Sequence, residues 1–132
     1  MRRVFVDTGA WYALIDRADP DHGDVTAQFK AYRGRLVTSN FVFDETLTLL
    51  RYRLGWQSAH AFGEQMRAGQ LSHQVRVSPQ DEEAAWDTFT RYRDQSFSFT
   101  DCTSFALMQR LRLSVAIALD DDFRIFGHQL LP

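Results

Sequence analysis

The sequence has only one cysteine, three prolines and no apolar run long enough to cross a bilayer, which takes roughly 20 residues. The lone thiol of Cys102 can form neither an internal disulfide nor a cysteine zinc cluster. The amino terminus lacks the charged-then-apolar pattern of a secretory leader. These absences argue against a disulfide-stapled secreted domain and a membrane protein. They predict a cytoplasmic protein with no membrane partner.

Positive charge is also scarce, because 15 Lys and Arg stand against 17 Asp and Glu, for a formal net charge of −2. Such a chain does not bind nucleic acid by bulk charge alone. All but one of the basic residues are arginine, which suits bidentate contacts to phosphate or carboxylate. Most of the acids are aspartate, which favours caps, turns and metal sites. The length of 132 residues predicts one domain over 1–132.

Short apolar segments alternate with longer helical patterns along the chain. Strands are predicted at 3–6, 36–37, 74–77 and 115–119, and helices at 10–15, 25–32, 41–54, 58–68, 79–92 and 101–113. Strands separated by helices are typical of an α/β fold with a parallel sheet. The last residues, 127–132, carry no acid and are predicted to complete the sheet.

Two of the predicted strands end in an acid. Asp7 follows the segment 3–6, and Asp120 follows the segment 115–119. Either acid alone is more typical of a turn or a helix cap. Because ligands bind beyond the carboxyl ends of parallel strands, the two together indicate a functional site.

Two further acids lie on predicted helices. Glu45 falls on an apolar stripe between Val42 and Leu49, where a carboxylate must be paired, hydrogen-bonded or bound to a metal. An internal salt bridge to an arginine is the alternative for Glu45. Asp101 begins a helix on the stripe of Phe105, where on its own it would be a favourable N-terminal charge.

Four acids from separate segments form a set of oxygen donors that Mg²⁺ or Mn²⁺ prefers, and such ions support phosphodiester hydrolysis. Arg112, on the stripe of Asp101, is a candidate phosphate contact, although pairing with an acid is the alternative. No histidine shows ligand spacing, and all four are predicted to lie on the surface: His22, His60, His73 and His128.

Four segments together resemble the PIN-domain ribonucleases, and within them the VapC-type toxins of bacterial toxin–antitoxin systems. They are VFVDTGAW at 4–11, TSNFVFDETL at 38–47, SFTDCTSF at 98–105 and ALDDDF at 118–123. By this resemblance the catalytic and metal-binding acids are Asp7, Glu45, Asp101 and Asp120. Asp122 is an additional metal ligand or water-positioning residue, and the supporting polar residues are Thr8 and Ser104.

The resemblance implies a three-layer α/β/α sandwich with a central, mainly parallel sheet. It also implies Mg²⁺ or Mn²⁺ as cofactor and endonuclease action on RNA. A small cognate antitoxin protein and a second copy in a homodimer are the implied partners. The triple aspartate leaves open whether Asp120 or Asp122 is the principal fourth acid, and Asp120 is favoured because it directly follows the strand.

Other functions fit less well. The tripeptide Asp7-Thr8-Gly9 occurs in aspartic proteases, but the helical run 41–54 has no place in that all-strand fold. The remaining alternative is a catalytically silent PIN-like module that binds a partner or RNA. A groove between the first helix and 54–62 would hold an antitoxin helix. Four aromatic residues would serve partner binding if exposed, although aromatic residues at helical spacing more often belong to the core: Trp11, Tyr12, Trp56 and Trp86.

Overall fold

The computed structural model describes residues 2–32 and 34–131. Five strands and seven helices are found there: β1 (Arg3–Val6), α1 (Thr8–Ile15), α2 (His22–Ala31), β2 (Arg35–Ser39), α3 (Asn40–Leu54), α4 (Trp56–Arg67), β3 (His73–Val75), α5 (Pro79–Arg91), α6 (Phe99–Leu111), β4 (Val115–Ile117), α7 (Asp122–Phe126) and β5 (Gln129–Leu130). The short helix α7 was not predicted. The strand predicted at 115–119 already ends at Ile117.

The strands form one sheet in the order β3-β2-β1-β4-β5, and every pairing among the described strands is parallel. This confirms the predicted α/β fold with a parallel sheet. The chain runs outward from β1 to β2 and β3, then returns to the other side of β1 for β4 and β5. The direction reverses between β1 and β4, so a crevice opens beyond their carboxyl ends.

Helices cover both faces of the sheet. Right-handed crossovers place α1–α4 on one face and α5–α7 on the other, and α1 accordingly packs on α2 and α3, whereas α5 packs on α6. The central strand is buried on both sides, with Val4, Phe5 and Val6 fully shielded from solvent. In the described part of the chain no helix has both the length and the apolarity that crossing a membrane requires.

The carboxy-terminal segment completes the sheet, as predicted. Gln129 and Leu130 pair in parallel with Val115 and Ala116. The Leu131 backbone carbonyl accepts a 2.8 Å hydrogen bond from the Gln28 side chain, which ties this edge to α2.

Aromatic residues divide between core and surface. Trp11 and Tyr12 lie in the core, as most aromatic residues at helical spacing do, and the Trp11 ring contacts Phe62 edge to face at 5.9 Å. They are not available to a partner, because α1 packs between the sheet and its neighbouring helices. Trp56 and Trp86 do lie at the surface, with exposed fractions of 57% and 58%.

His128 also departs from its predicted surface position. Its ring lies 5.7 Å from that of Phe105 and 5.8 Å from that of Phe126, between centroids. Its buried Nδ1 atom has no hydrogen-bond partner among the described residues. The cluster forms because the chain turns back after α7, and the sequence around His128 carries no sign of that turn. His60 and His73 are exposed as predicted, and His22 is half-buried.

Protonation of His128 should destabilise the fold. Burial lowers the pKa of His128, so the unfolded chain takes up this proton at a higher pH than the folded one. Stability is therefore lost as the pH falls through the ordinary histidine pKa of about 6.5. His128→Phe keeps an aromatic ring without the charge, and we expect its urea midpoint to fall less than that of the wild type between pH 7.5 and 5.5. His73→Gln is the exposed control, and equal pH slopes for the wild type and His128→Phe would contradict the prediction.

Candidate active site

Asp7 lies at the carboxyl end of β1, in the crevice between β1 and β4. Its backbone N–H donates a 3.1 Å hydrogen bond to the carbonyl of Ile117, which joins the ends of the two strands. The Thr38 hydroxyl donates to the Val6 carbonyl at 2.9 Å and accepts from the Trp11 indole at 3.2 Å. These contacts fix the backbone that carries Asp7. Asp7 is 5% exposed, and its Oδ1 atom has no hydrogen-bond partner within the described ranges.

Asp101 is held by a capping box at the start of α6. Its Oδ2 accepts a 3.0 Å hydrogen bond from the Ser98 N–H, and its own N–H donates to Ser98 Oγ at 2.9 Å. The residue is 7% exposed. Because Oδ2 is committed to the cap, Oδ1 is the oxygen left for the crevice. The role of Ser98 was missed, although the spacing Ser-x-x-Asp before an apolar helix is the signal for it.

Asp120 and Asp122 follow β4 in the loop that leads into α7. The Asp122 N–H donates a 3.0 Å hydrogen bond to Asp120 Oδ1. The Asp122 side chain is in hydrogen-bond contact with Asp101, and this contact favours the protonated form of Asp101. Both candidates for the fourth acid therefore reach the same crevice.

Glu45 is half-buried on α3, on the stripe where it was expected. Across 2–32 and 34–131, no basic side chain lies within salt-bridge distance of it; the ion pairs there join other residues. The alternative of an internal salt bridge is therefore wrong for the described residues. The charge of Glu45 acts on both Asp7 and Asp120, which places it in the same cluster.

The acids raise one another's pKa values. Burial, followed by the charge of Asp101, raises the pKa of Asp7 well above its ordinary value. Burial also raises the pKa of Asp101, to about 7, with Asp122 and Asp120 adding to the effect and the Ser98 N–H opposing it. Partial desolvation and neighbouring acids raise the pKa of Asp120. The crevice thus holds concentrated negative charge, and none of the ion pairs in the described chain neutralises it.

The chemistry of these residues fits a divalent cation. Three of the buried oxygens that lack a hydrogen-bond partner in the described structure belong to predicted site residues: Asp7 Oδ1, Thr8 Oγ1 and Ser104 Oγ. Hard cations take oxygen ligands, and a cation would offset the repulsion between the carboxylates. Within the described chain, however, no three His, Cys, Asp or Glu side chains are already arranged around one point as metal ligands. The acids lie in one crevice, but among the described residues their side chains do not surround a common point as the ligands of a bound ion would.

Arg112 caps the C-terminus of α6 in a left-handed conformation, at the opposite end of the helix from Asp101, so it is not a phosphate contact at this site. Thr46 follows Glu45 on α3 and has a fully buried hydroxyl without a partner among the described groups. The only sign of Thr46 in the sequence is that a polar residue falls on a buried stripe.

Comparison with known proteins identifies relatives along nearly the whole chain. Residues 4–128 match the PIN domain family. The chain is 38% identical over 127 residues to the 23S rRNA-specific endonuclease VapC20 of Mycobacterium tuberculosis, covering 94% of each protein. It is 29% identical over 127 residues to a VapC ribonuclease of Archaeoglobus fulgidus, covering 92% of this chain and 80% of the relative.

The fold is also found in solved structures. The crystal structure of M. tuberculosis VapC20, described as a sarcin-ricin loop cleaving toxin, superimposes with a TM-score of 0.90 at 34% identity over 95% of both chains. A toxin–antitoxin complex from Klebsiella pneumoniae contains a chain with a TM-score of 0.70 at 13% identity, over 98% of this chain and 96% of that one. The second likeness is one of fold alone.

Proposed function

Because this chain belongs to the PIN domain family, we propose that it is an endoribonuclease toxin that hydrolyses RNA phosphodiester bonds at the crevice between β1 and β4. The observation that carries this proposal is the cluster of carboxylates at the point where the sheet reverses direction. Burial and the charge of Asp101 raise the pKa of Asp7, and no basic side chain of the described ranges pairs with either acid. The complete set of acids makes a catalytically silent module the weaker alternative.

We propose that Mg²⁺, or Mn²⁺ in its place, is the cofactor, held by these acids: Asp7, Glu45, Asp101 and Asp120, with Asp122 as an additional ligand or water-positioning residue. When bound, such an ion offsets phosphate charge and lowers the pKa of an attacking water. The chain contributes the positioning. The capping box fixes one oxygen of Asp101 and leaves the other free. The hydroxyls of Thr8 and Ser104, which have no partner in the described structure, are available to orient water or phosphate.

The RNA substrate is proposed to be ribosomal, and the site of action the cytoplasm. The support is the relative at 38% identity whose name specifies 23S rRNA. The low net positive charge of the chain agrees with a substrate recognised by shape and by the bound ion more than by a broad basic surface.

A small antitoxin protein is the proposed partner. A groove of about 470 Å³ lies between α3 and α4, with Phe43, Leu47 and Ala59 among its apolar lining residues. Arg51 and Arg67 also line it, together with one acid, Glu64, so basic residues outnumber acidic ones and the groove suits an apolar segment that carries acidic side chains. This groove involves α4 as expected, but its other wall is α3 and not the first helix.

We also propose that two copies of the chain associate.

Cleavage should require a divalent ion and the cluster of acids. We expect purified, antitoxin-free protein to cut a labelled 23S rRNA fragment in Mg²⁺ or Mn²⁺, and to stop cutting in EDTA or when Asp101 is replaced by asparagine. Asp81→Asn is the matched control, because Asp81 fills the same position in the capping box of α5, away from the crevice. Cutting by Asp101→Asn at the wild-type rate would reject the site. Absence of cutting in every lane, with a single-stranded RNA pool tested alongside, would favour the silent module.

A further inference from the structure

A cleft of about 560 Å³ lies beside the C-terminal half of α6. The last turn of α5 and the turn between α7 and β5 also line it. Arg112, one of its lining residues, comes eleven residues after Asp101, which is roughly 16 Å along a helix axis. None of the acids of the crevice lines this cleft. Its volume is in the range of pockets that hold small organic ligands.

The lining of this cleft is basic. Arg91, Arg112 and His128 belong to it, and none of its described lining residues is an acid. The ion pairs found in 2–32 and 34–131 involve neither of the two arginines. Side chains that can donate hydrogen bonds add to the lining: Thr88, Gln109 and Ser114. In a chain with a net charge of −2, such a cleft is complementary to an anion.

The backbone of Arg112 gives an independent reason to assign a role to its side chain. Its φ of 59° and ψ of 42° are left-handed, and no other residue of the described chain except glycine has a positive φ. A helix C-terminus usually takes glycine at such a position, because a Cβ atom is strained there. Interaction with the helix dipole explains Arg91 in the last turn of α5, but it needs no strained backbone. Strain that is kept at one residue is typical of a functional position.

An aromatic wall lies beside the basic groups. Tyr92 and Phe126 both line the cleft, and their rings meet edge to face with centroids 5.7 Å apart. Phe126 is held in turn by Phe105, on which it stacks at 4.3 Å with an interplanar angle of 9°. Nucleobases stack on aromatic rings of this kind whatever their sequence. Positive charge and aromatic rings therefore occur together in one cleft.

We propose that this cleft binds a nucleotide, with the phosphate on Arg91 and Arg112 and the base against Tyr92 and Phe126. Guanidinium groups hold phosphate oxygens through paired, charge-assisted hydrogen bonds. A free nucleotide and an RNA strand that passes this end of α6 present the same chemical unit. The site is separate from the crevice and needs neither a metal ion nor RNA cleavage, so it goes beyond the proposed function.

The first test titrates the intact protein with inorganic phosphate and with adenosine monophosphate in EDTA, by isothermal titration calorimetry. We expect the nucleotide to bind more tightly than phosphate, because only the nucleotide reaches the aromatic wall. Arg91→Gln combined with Arg112→Gln should raise the nucleotide dissociation constant at least about tenfold, since two charged donors are lost. Arg17→Gln combined with Arg35→Gln makes the same charge change at exposed positions outside the cleft and should leave the constant unchanged.

Replacing Arg112 alone with glycine separates binding from folding. Glycine adopts the left-handed backbone without strain, so Arg112→Gly should have a urea midpoint no lower than that of the wild type. It should nevertheless bind adenosine monophosphate more weakly, because one of the two guanidinium groups is gone. Tyr92→Leu keeps an apolar side chain but removes the ring, so it should weaken the binding of the nucleotide and leave that of inorganic phosphate unchanged.

Binding of a labelled single-stranded RNA in EDTA, over a range of salt concentrations, identifies the source of the nucleotide. If RNA occupies the cleft, the double glutamine variant should bind it more weakly, with a salt dependence smaller by about one or two phosphate contacts. Wild-type RNA binding by that variant, with nucleotide binding lost, would assign the cleft to a free nucleotide.

Two outcomes would overturn the inference. The first is nucleotide binding that survives the loss of both arginines. The second is that neither phosphate nor adenosine monophosphate binds at about 10 mM, above the millimolar constants of weak ligands, while the double variant binds RNA as the wild type does. All of these measurements are made in EDTA without cleavage, so such a failure leaves the proposed function to its own test, Asp101→Asn.

Discussion

Replacing Asp7 with asparagine is expected to lower the rate of RNA cleavage by about a thousandfold or more while the fold stays intact. Asp7 has a buried oxygen without a partner in the described structure, and it lies where the charges of Asp101, Asp120 and Glu45 converge. Loss of one ligand or charge at a metal site removes several kcal/mol of transition-state stabilisation, and each 1.36 kcal/mol is a factor of about ten in rate.

The measurement is single-turnover cleavage of a labelled RNA at saturating Mg²⁺, with the melting temperature recorded for each variant. A second pair of variants repeats the comparison on one helix. Glu45→Gln should lose activity as Asp7→Asn does, whereas Asp44→Asn, at the exposed neighbouring position, should retain it. Undiminished turnover in Asp7→Asn would remove Asp7 from the site. Loss of activity accompanied by a collapsed melting transition would show a structural role.

The sequence was sufficient to predict the position of the crevice because two short-range signals coincide there. A parallel sheet brings the ends of its strands to one edge, so acids directly after apolar strands, Asp7 and Asp120, can be placed without coordinates. Glu45 could be identified because a carboxylate on an apolar stripe is costly to bury without a compensating contact. Both signals depend only on the spacing of residues along the chain, so they can be recognised in the sequence alone.

Features that depend on how distant segments meet were missed. His128 is half-buried only because the chain turns back after α7 onto the rings of Phe105 and Phe126. The contact between Asp122 and Asp101 joins two segments that follow different strands. Arg112 shares a stripe with Asp101 but sits at the far end of the helix, because a shared face says nothing about distance along the axis. Tertiary packing decides these cases.

Two aspartates in the same local structure should respond oppositely to the same substitution. Asp81 and Asp101 each close a capping box, with Ser78 and Ser98 respectively, and both are buried. Burial opposes the charge of each. For Asp81, the hydrogen bonds from Arg110 outweigh burial and lower its pKa, whereas Asp101 faces other acids and has its pKa raised to about 7. An asparagine amide oxygen can still accept the capping hydrogen bond, so the cap largely cancels from the comparison.

In EDTA at pH 8 we expect Asp101→Asn to raise the free energy of unfolding and Asp81→Asn to lower it. The gain at Asp101 is bounded by roughly 4 kcal/mol, the equivalent of moving its pKa from about 4 to about 7, and about 1–3 kcal/mol is expected. The loss at Asp81 is about 1–2 kcal/mol. Arg110 donates hydrogen bonds of 2.8–3.1 Å to Asp81, but its guanidinium is partly exposed, and solvent weakens the ion pair. Urea unfolding of the three proteins measures both changes.

The pH dependence separates this explanation from a general effect of asparagine. A raised carboxyl pKa favours the folded state below about pH 4, and that advantage is lost as the pH rises through about 7. The stabilisation by Asp101→Asn should therefore be small at pH 4 and largest at pH 8. A lowered pKa acts the other way, so the deficit of Asp81→Asn should be largest at neutral pH and shrink as acid protonates Asp81.

Saturating Mn²⁺ should stabilise the wild type more than Asp101→Asn, because the ion binds the folded carboxylates. If Asp101→Asn proved less stable than the wild type in EDTA at pH 8, the carboxylates of this crevice would not be repelling one another, and the electrostatic case for a cation there would fail.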